Sequence, residues 1–143
     1  MPNEIQPLSL IPGREHERRG VRAEHIPQEL MPYPQWVCWR YVDRGEGRKP
    51  DKQPVNPHTL ANAGVHWANT WASFDVAYTS YLRHIKDGIT GIGFVLTPED
   101  PYVAVDIDNC LHDEEIEDRA VQVIEELKSY TEVSPSGHGL RIL

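Results

Sequence analysis

Asp106 and Asp108, separated by Ile107 and followed by Asn109, stand at the end of an apolar run, and carboxylates at that spacing can do chemistry. Side chains alternate across a strand, so Val103, Val105 and Ile107 are expected on one side and Ala104, Asp106 and Asp108 on the other. The two carboxylates then lie roughly 7 Å apart along the backbone. Such a pair can converge on divalent cations, which in a two-metal site sit about 4 Å apart and clamp the attacking and leaving oxygens of a phosphoryl transfer. By itself the pattern equally fits a strand end entering an acidic turn. A calcium loop is discarded. Asp106, Asp108 and Glu117 take its first, third and twelfth positions, but Leu111 replaces the glycine it needs, Cys110 is a poor ligand, and a strand precedes it.

A second group runs Ser134, Pro135, Ser136, Gly137, His138, Gly139, Leu140, Arg141. Its glycines let backbone approach a ligand, its serines offer hydroxyl and amide donors, and His138 and Arg141 can add positive charge for a triphosphate. The alternative is a hairpin turn with glycines for geometry and serines for local hydrogen bonds. In a third group, Lys49 to Pro57, prolines stiffen a basic loop that can present Lys52 to a phosphate; a solvated loop is the alternative. Trp36, Trp39, Trp67 and Trp71 can stack on bases, although at these spacings most are expected in the core.

These groups need elements to hold them. Residues 1–25 combine Pro, Gly and clustered charge without apolar periodicity and are expected to form a mobile leader, leaving 26–143 as the domain. A helical turn is expected over 26–30 and a strand over 36–42, where aromatic and β-branched residues concentrate. Residues 43–69 read as a long loop, since Pro50, Pro54 and Pro57 forbid a continuous helix. Thr70 can cap a helix with Trp71, Phe74, Tyr78, Tyr81, Leu82 and Ile85 at helical spacings, stopped by Asp87 and Gly88. Two strands over 91–97 and 102–108 look like a hairpin. A helix over 113–129 follows, with Ile116, Ala120, Ile124 and Leu127 on one face and Glu114 and Glu115 in its first turn. Short strands are expected over 130–133 and 140–143. The order implies an α+β domain with helices packed on a mainly antiparallel sheet.

The bulk properties agree with one domain that needs no disulfides: 143 residues and two cysteines in no metal-ligand or disulfide pattern, which fits a reducing cytoplasm. No stretch approaches the roughly 18 to 20 apolar residues of a membrane span, so no membrane partner is expected. A net charge of −8 argues against a protein that coats nucleic acid. Yet residues 34–60 hold five basic side chains against three acidic, and residues 99–143 three against twelve. That split suits a site holding phosphates with one part and cations with another.

Taken in order, Pro34, Gln35 and Trp36 with Trp39; Lys52 to Pro57; Thr70 and Trp71 with Phe74 and Ala77; Gly91 to Leu96; Val105 to Cys110; Ser129 to Glu132; and Ser134 to Gly137 form a more specific set than any member. Over 26–143 the chain resembles the amino-terminal domain of phage and plasmid bifunctional DNA primase-polymerases of the archaeo-eukaryotic primase superfamily. The resemblance implies an RNA-recognition-type core, Mg2+ or Mn2+ as cofactor, nucleoside triphosphates and a single-stranded DNA template as partners, and templated nucleotidyl transfer in replication. Asp106 and Asp108 match the first motif, as catalytic and metal-binding residues. Ser134, Ser136 and Gly137 match the second, with His138 catalytic and nucleotide-binding, and Lys52 and Arg141 as further nucleotide contacts. The family commonly has His where Arg141 stands. Its third acidic motif is missing before Leu143, Glu132 being a weak nearby substitute, so the core is expected to be incomplete at its C-terminus and to need further sequence or a second chain to complete it, with a helicase domain as a further partner. A catalytically inactive nucleotide- or nucleic-acid-binding relative and a metal-dependent nuclease are the alternatives.

Overall fold

A computed structural model describes residues 20–143; the expected leader over 1–25 lies outside the described residues up to 19, and its last part is ordered, with Val21 packed against the first unit's core and a 3-10 turn at Ala23–His25. The chain is α+β with antiparallel sheets and few helices. It divides into two compact units, 20–100 and 101–143.

In the first unit, β1 (Trp36–Val42) is the central strand of a sheet ordered β2-β1-β3, antiparallel throughout. Its neighbours are β2 (Asp51–Val55) and β3 (Gly91–Phe94). Sequence reading placed β2 in a loop because of its proline. Pro54 is accommodated because β2 is an edge strand, where a missing N–H need not break the ladder. One sheet face is covered by α1 (Phe74–His84), where Cys38, Val55, Tyr81 and Ile89 form a buried cluster with Ile92 and Tyr78 against it. Trp36 packs edge-on against Phe74 and Phe94 at 5.1 and 5.2 Å between ring centroids, and its Nε1 donates to Leu30 O. The expected turn over 26–30 appears as a single 3-10 turn, Gln28–Leu30.

Helix α1 starts later than expected. Ser73, not Thr70, caps it by accepting from Val76 N, while Thr70 Oγ1 donates to Trp67 O and accepts from Gly64 N. Trp71 accordingly leaves the helix and donates through Nε1 to Gly64 O. The helix end follows expectation: Gly88 adopts φ 94° after a 3-10 turn, Ile85–Asp87. No helix of the described residues is long and apolar enough to cross a membrane.

The hairpin expected between 91–97 and 102–108 does not form. β3 pairs with β1, and the following turn closes on itself, Asp100 Oδ2 accepting from Thr97 N at 2.7 Å and from Gln35 Nε2 at 3.1 Å. Pro98 and Pro101 supply no N–H to a ladder, so the short link does not return the chain into register.

In the second unit, β4 (Val105–Ile107), β8 (Leu140–Ile142) and β7 (Thr131–Val133) form an antiparallel sheet with β8 in the middle. Helix α2 (Asp118–Leu127) covers it, and Cys110, Ala120, Ile124, Leu140 and Ile142 are the buried cluster. The first turn of the expected 113–129 helix is instead a two-residue hairpin. β5 (Leu111–His112) pairs with β6 (Glu115–Ile116) through Asp113 and Glu114, both at positive φ, so Asp118 rather than Glu114 or Glu115 lies in the first helical turn. Lys128 at φ 47° ends α2.

Both cysteines are fully buried and unpaired. Burial pushes the Cys38 thiol up to about 11 and raises that of Cys110. The thiolate is the reactive form, so neither is expected to react with an aromatic disulfide reagent at pH 8 until denaturant is added. Rapid labelling of the folded chain would contradict the packing of both clusters.

Candidate active site

Asp106 is the middle residue of β4, flanked by Val105 and Ile107, which pack against the core, so its carboxylate points to the other face and is exposed. Asp108 does not continue the alternation. β4 ends at Ile107, Asp108 begins a turn, and Asn109 at φ 50° diverts the chain so that Cys110 N and Leu111 N both donate to His138 O, at 2.9 and 3.1 Å. Asp108 is exposed, but in that turn rather than on the strand.

The segment Ser134 to Gly139 is the connection between β7 and β8, and it closes on itself. Ser134 N donates to Gly139 O, Gly137 N donates to Ser134 O, Gly139 N to Ser134 Oγ and His138 N to Ser136 Oγ. Gly137 sits at φ 80°. Of the amides in the turn, those of Ser134, Gly137, His138 and Gly139 are spent inside it. The Ser134 and Ser136 hydroxyls lie 3.0 Å apart and need only one proton between them, which leaves the other to donate outward. The His138 side chain is exposed.

What sequence spacing could not give is how tightly this turn is fastened to the acidic strand. A Cβ on Gly139 would lie 2.8 Å from Ile107 O and 3.5 Å from the Asp108 Cα. The serine turn and the end of β4 thus meet backbone to backbone. Arg119, unnoticed in the sequence, secures the same loop by donating from Nη2 to Asp108 O at 2.8 Å and to Asn109 O at 3.3 Å. Its Nε is held by Glu117 at 2.5 Å, and Glu117 also meets His112 Nε2 at 3.0 Å. The Arg119 contact, then that of His112, holds the Glu117 carboxyl below the usual range. Nothing in the spacing of a cation eleven residues downstream signals such a clamp.

Arg141 faces Asp106 directly across the β4–β8 ladder and Glu132 across the β8–β7 ladder. Its Nε donates to Asp106 Oδ1 at 2.8 Å. With side chains 48% and 56% exposed, this pair is worth about 0–1 kcal/mol, so a polyanion or cation can displace it at little cost. Glu132 is two strands from Asp106, roughly 9–10 Å at ordinary strand spacing, with Arg141 between them. Burial raises the Glu132 carboxyl, against the hydrogen bond from Tyr130 and the charge of Arg141. Lys52 belongs to the other unit, exposed on β2 opposite Tyr41.

The raised carboxyl makes a testable sign. A carboxyl lifted above its unfolded value of 4.5 favours folding in its protonated form, a contribution complete below that pH and lost as pH rises through the folded value. Gln mimics the protonated form, so Glu132→Gln is expected to melt higher than the parent at pH 7 and to lose that advantage towards pH 4. A lower melting temperature at pH 7 would mean that the attraction to Arg141 outweighs burial.

Among the described residues no group of three His, Cys, Asp or Glu could hold a metal. Asp106 and Asp108 are exposed carboxylates, the ligand type that hard cations such as Mg2+ or Mn2+ take beside water and substrate phosphates.

No family model matches the chain. Over 116 residues, 80% of the chain, it is 36% identical to the DNA primase-polymerase of Nitratiruptor phage NrS-1, and it spans about 15% of that protein's length.

Proposed function

From the premise that this chain carries a primase-polymerase-like domain, we propose that it performs metal-dependent nucleotidyl transfer in the replication of a phage or plasmid, in the manner of an archaeo-eukaryotic primase core. The observation that supports this reading is the fastening of the serine turn to the end of β4, where Gly139 approaches Ile107 O and the Asp108 backbone. Asp106 and Asp108 would hold Mg2+ or Mn2+, which supplies charge stabilisation and orients the phosphates when bound. The second hydroxyl proton of the Ser134 and Ser136 pair and the His138 ring would donate to triphosphate oxygens. Arg141, whose pair with Asp106 is exposed and weak, would turn its guanidinium to the phosphates, where a planar fork binds strongly. Lys52, in the first unit, is a contact to a phosphate of the template, which is single-stranded DNA. A helicase domain or a second chain is a further partner in this reading.

The test is incorporation of labelled nucleotides on a primed or unprimed single-stranded template with Mg2+ or Mn2+. Metal-dependent extension supports transfer. A second reading, a relative that binds nucleotide without transferring it, draws on the Arg141–Asp106 pair, which occupies one of the two carboxylates. Metal-dependent nucleotide binding without extension would favour it, and loss of both would remove the support for either.

A further inference from the structure

β4 ends at Ile107, so the ladder that sets Asp106 opposite Arg141 does not reach Asp108. Asp108 is placed by the turn that follows. That turn passes through Asn109 at φ 50°, a left-handed conformation that a residue other than glycine keeps only where its surroundings impose it. On one side the restraint is His138 O, which takes the amides of Cys110 and Leu111. On the other, successive carbonyls of the turn are held from the start of α2. Those of Asp108 and Asn109 accept from Arg119 Nη2, at 2.8 and 3.3 Å, and that of Cys110 accepts from Glu117 N at 2.8 Å.

Arg119 stands on a fixed base. Ala120, next to it on α2, is fully buried in the cluster with Cys110, Leu140 and Ile142, so the helix cannot shift without disturbing that core. The guanidinium is oriented as well: its Nε donates to Glu117 Oε2 at 2.5 Å, and Glu117 Oε1 meets His112 Nε2 of β5 at 3.0 Å. One planar fork thus serves three acceptors, which a point charge on a flexible stem matches poorly. With the Arg119 and Glu117 side chains 57% and 39% exposed, the ion pair adds little to global stability. Its effect is on position, and a metal-binding constellation tolerates displacements of only about 0.5 Å.

We infer that Arg119 is a positioning residue of the carboxylate site: without touching ion or nucleotide, it sets where the Asp108 carboxylate stands, with Glu117 aiming its guanidinium. The inference rests on the proposed function for the role of Asp108 as a metal ligand. Arg119→Ala in the full chain tests it. Without any ligand, hydrogen exchange over residues 108–112 is expected to quicken about 10-fold, because the turn opens more often once its carbonyls are released. Titration with dATP and Mn2+ is expected to show about 10-fold weaker binding, with a melting temperature within about 3 °C of the parent's. In an Asp108→Ala background the same substitution should change that affinity by less than about 2-fold, since its effect passes through the missing carboxylate. Unchanged exchange, unchanged dATP affinity, or a melting temperature lower by about 10 °C would each overturn the inference. So would an equal loss of affinity in the Asp108→Ala background, the mark of a guanidinium that binds the triphosphate itself. In all of these the parent still binds dATP with Mn2+; a parent that does not would overturn the nucleotidyl-transfer reading, and this inference with it.

Discussion

A chain carrying Asp106→Ala with Asp108→Ala is expected to lose metal-dependent nucleotide binding, and with it incorporation, by about 100-fold or more. Even residues one shell out from a metal commonly cost 10- to 100-fold in affinity, and these two would be the protein's own ligands. The fold should hardly notice. Asp106 contributes an exposed ion pair worth about 0–1 kcal/mol, and Asp108 is an exposed turn residue whose backbone carbonyl, not its carboxylate, takes the Arg119 bond. The melting temperature should therefore stay within about 3 °C of the parent's. Isothermal titration with a nucleoside triphosphate and Mn2+, beside calorimetry of the same samples, separates the possibilities. A fall of about 10 °C with unchanged nucleotide affinity would assign the pair a structural role.

Gly139→Ala should act in the opposite sense, harming the fold first. Gly139 is buried between the serine turn and β4, and its Cβ would meet Ile107 O at 2.8 Å and Ser134 Oγ at 3.1 Å. The nearest obstacle is backbone, which cannot rotate away as a side-chain tip can. Either β4 separates from the turn or the turn opens and loses the Ser134–Gly139 hydrogen bonds. Overpacking of this kind costs about 1–3 kcal/mol, so the melting temperature should drop by about 4–10 °C. Because Cys110 N and Leu111 N hang from His138 O, the loop after Asp108 should loosen as well, and nucleotide binding should fall in parallel. An unchanged melting temperature would mean that the backbone contact between the turn and β4 is not as close as described.

The pattern of residue types was enough for much of this. Aromatic and β-branched residues over 36–42 signalled β1, the apolar spacing of Phe74, Tyr78 and Tyr81 signalled α1, and Asp106 could be assigned to a strand because Val105 and Ile107 flank it. Local turn chemistry was less legible. Ser73 and Thr70 are both competent caps, and only the placement of Gly64 and Trp67 decides which hydroxyl is engaged elsewhere. Glu114 suits a helix start, yet two successive residues at positive φ make a hairpin there.

By itself, then, the sequence determined the α+β class, the candidate carboxylates and the serine turn, because strand alternation, helical spacing and motif order are local properties of the chain. Tertiary structure decided the partners. That β3 joins β1 rather than β4, that Arg141 lies between Asp106 and Glu132, that Arg119 holds the Asp108 carbonyl and that Trp39 lies on Gly91 all depend on which strands become neighbours. Strand pairing is set by how distant apolar faces bury one another, and no spacing within one segment encodes it.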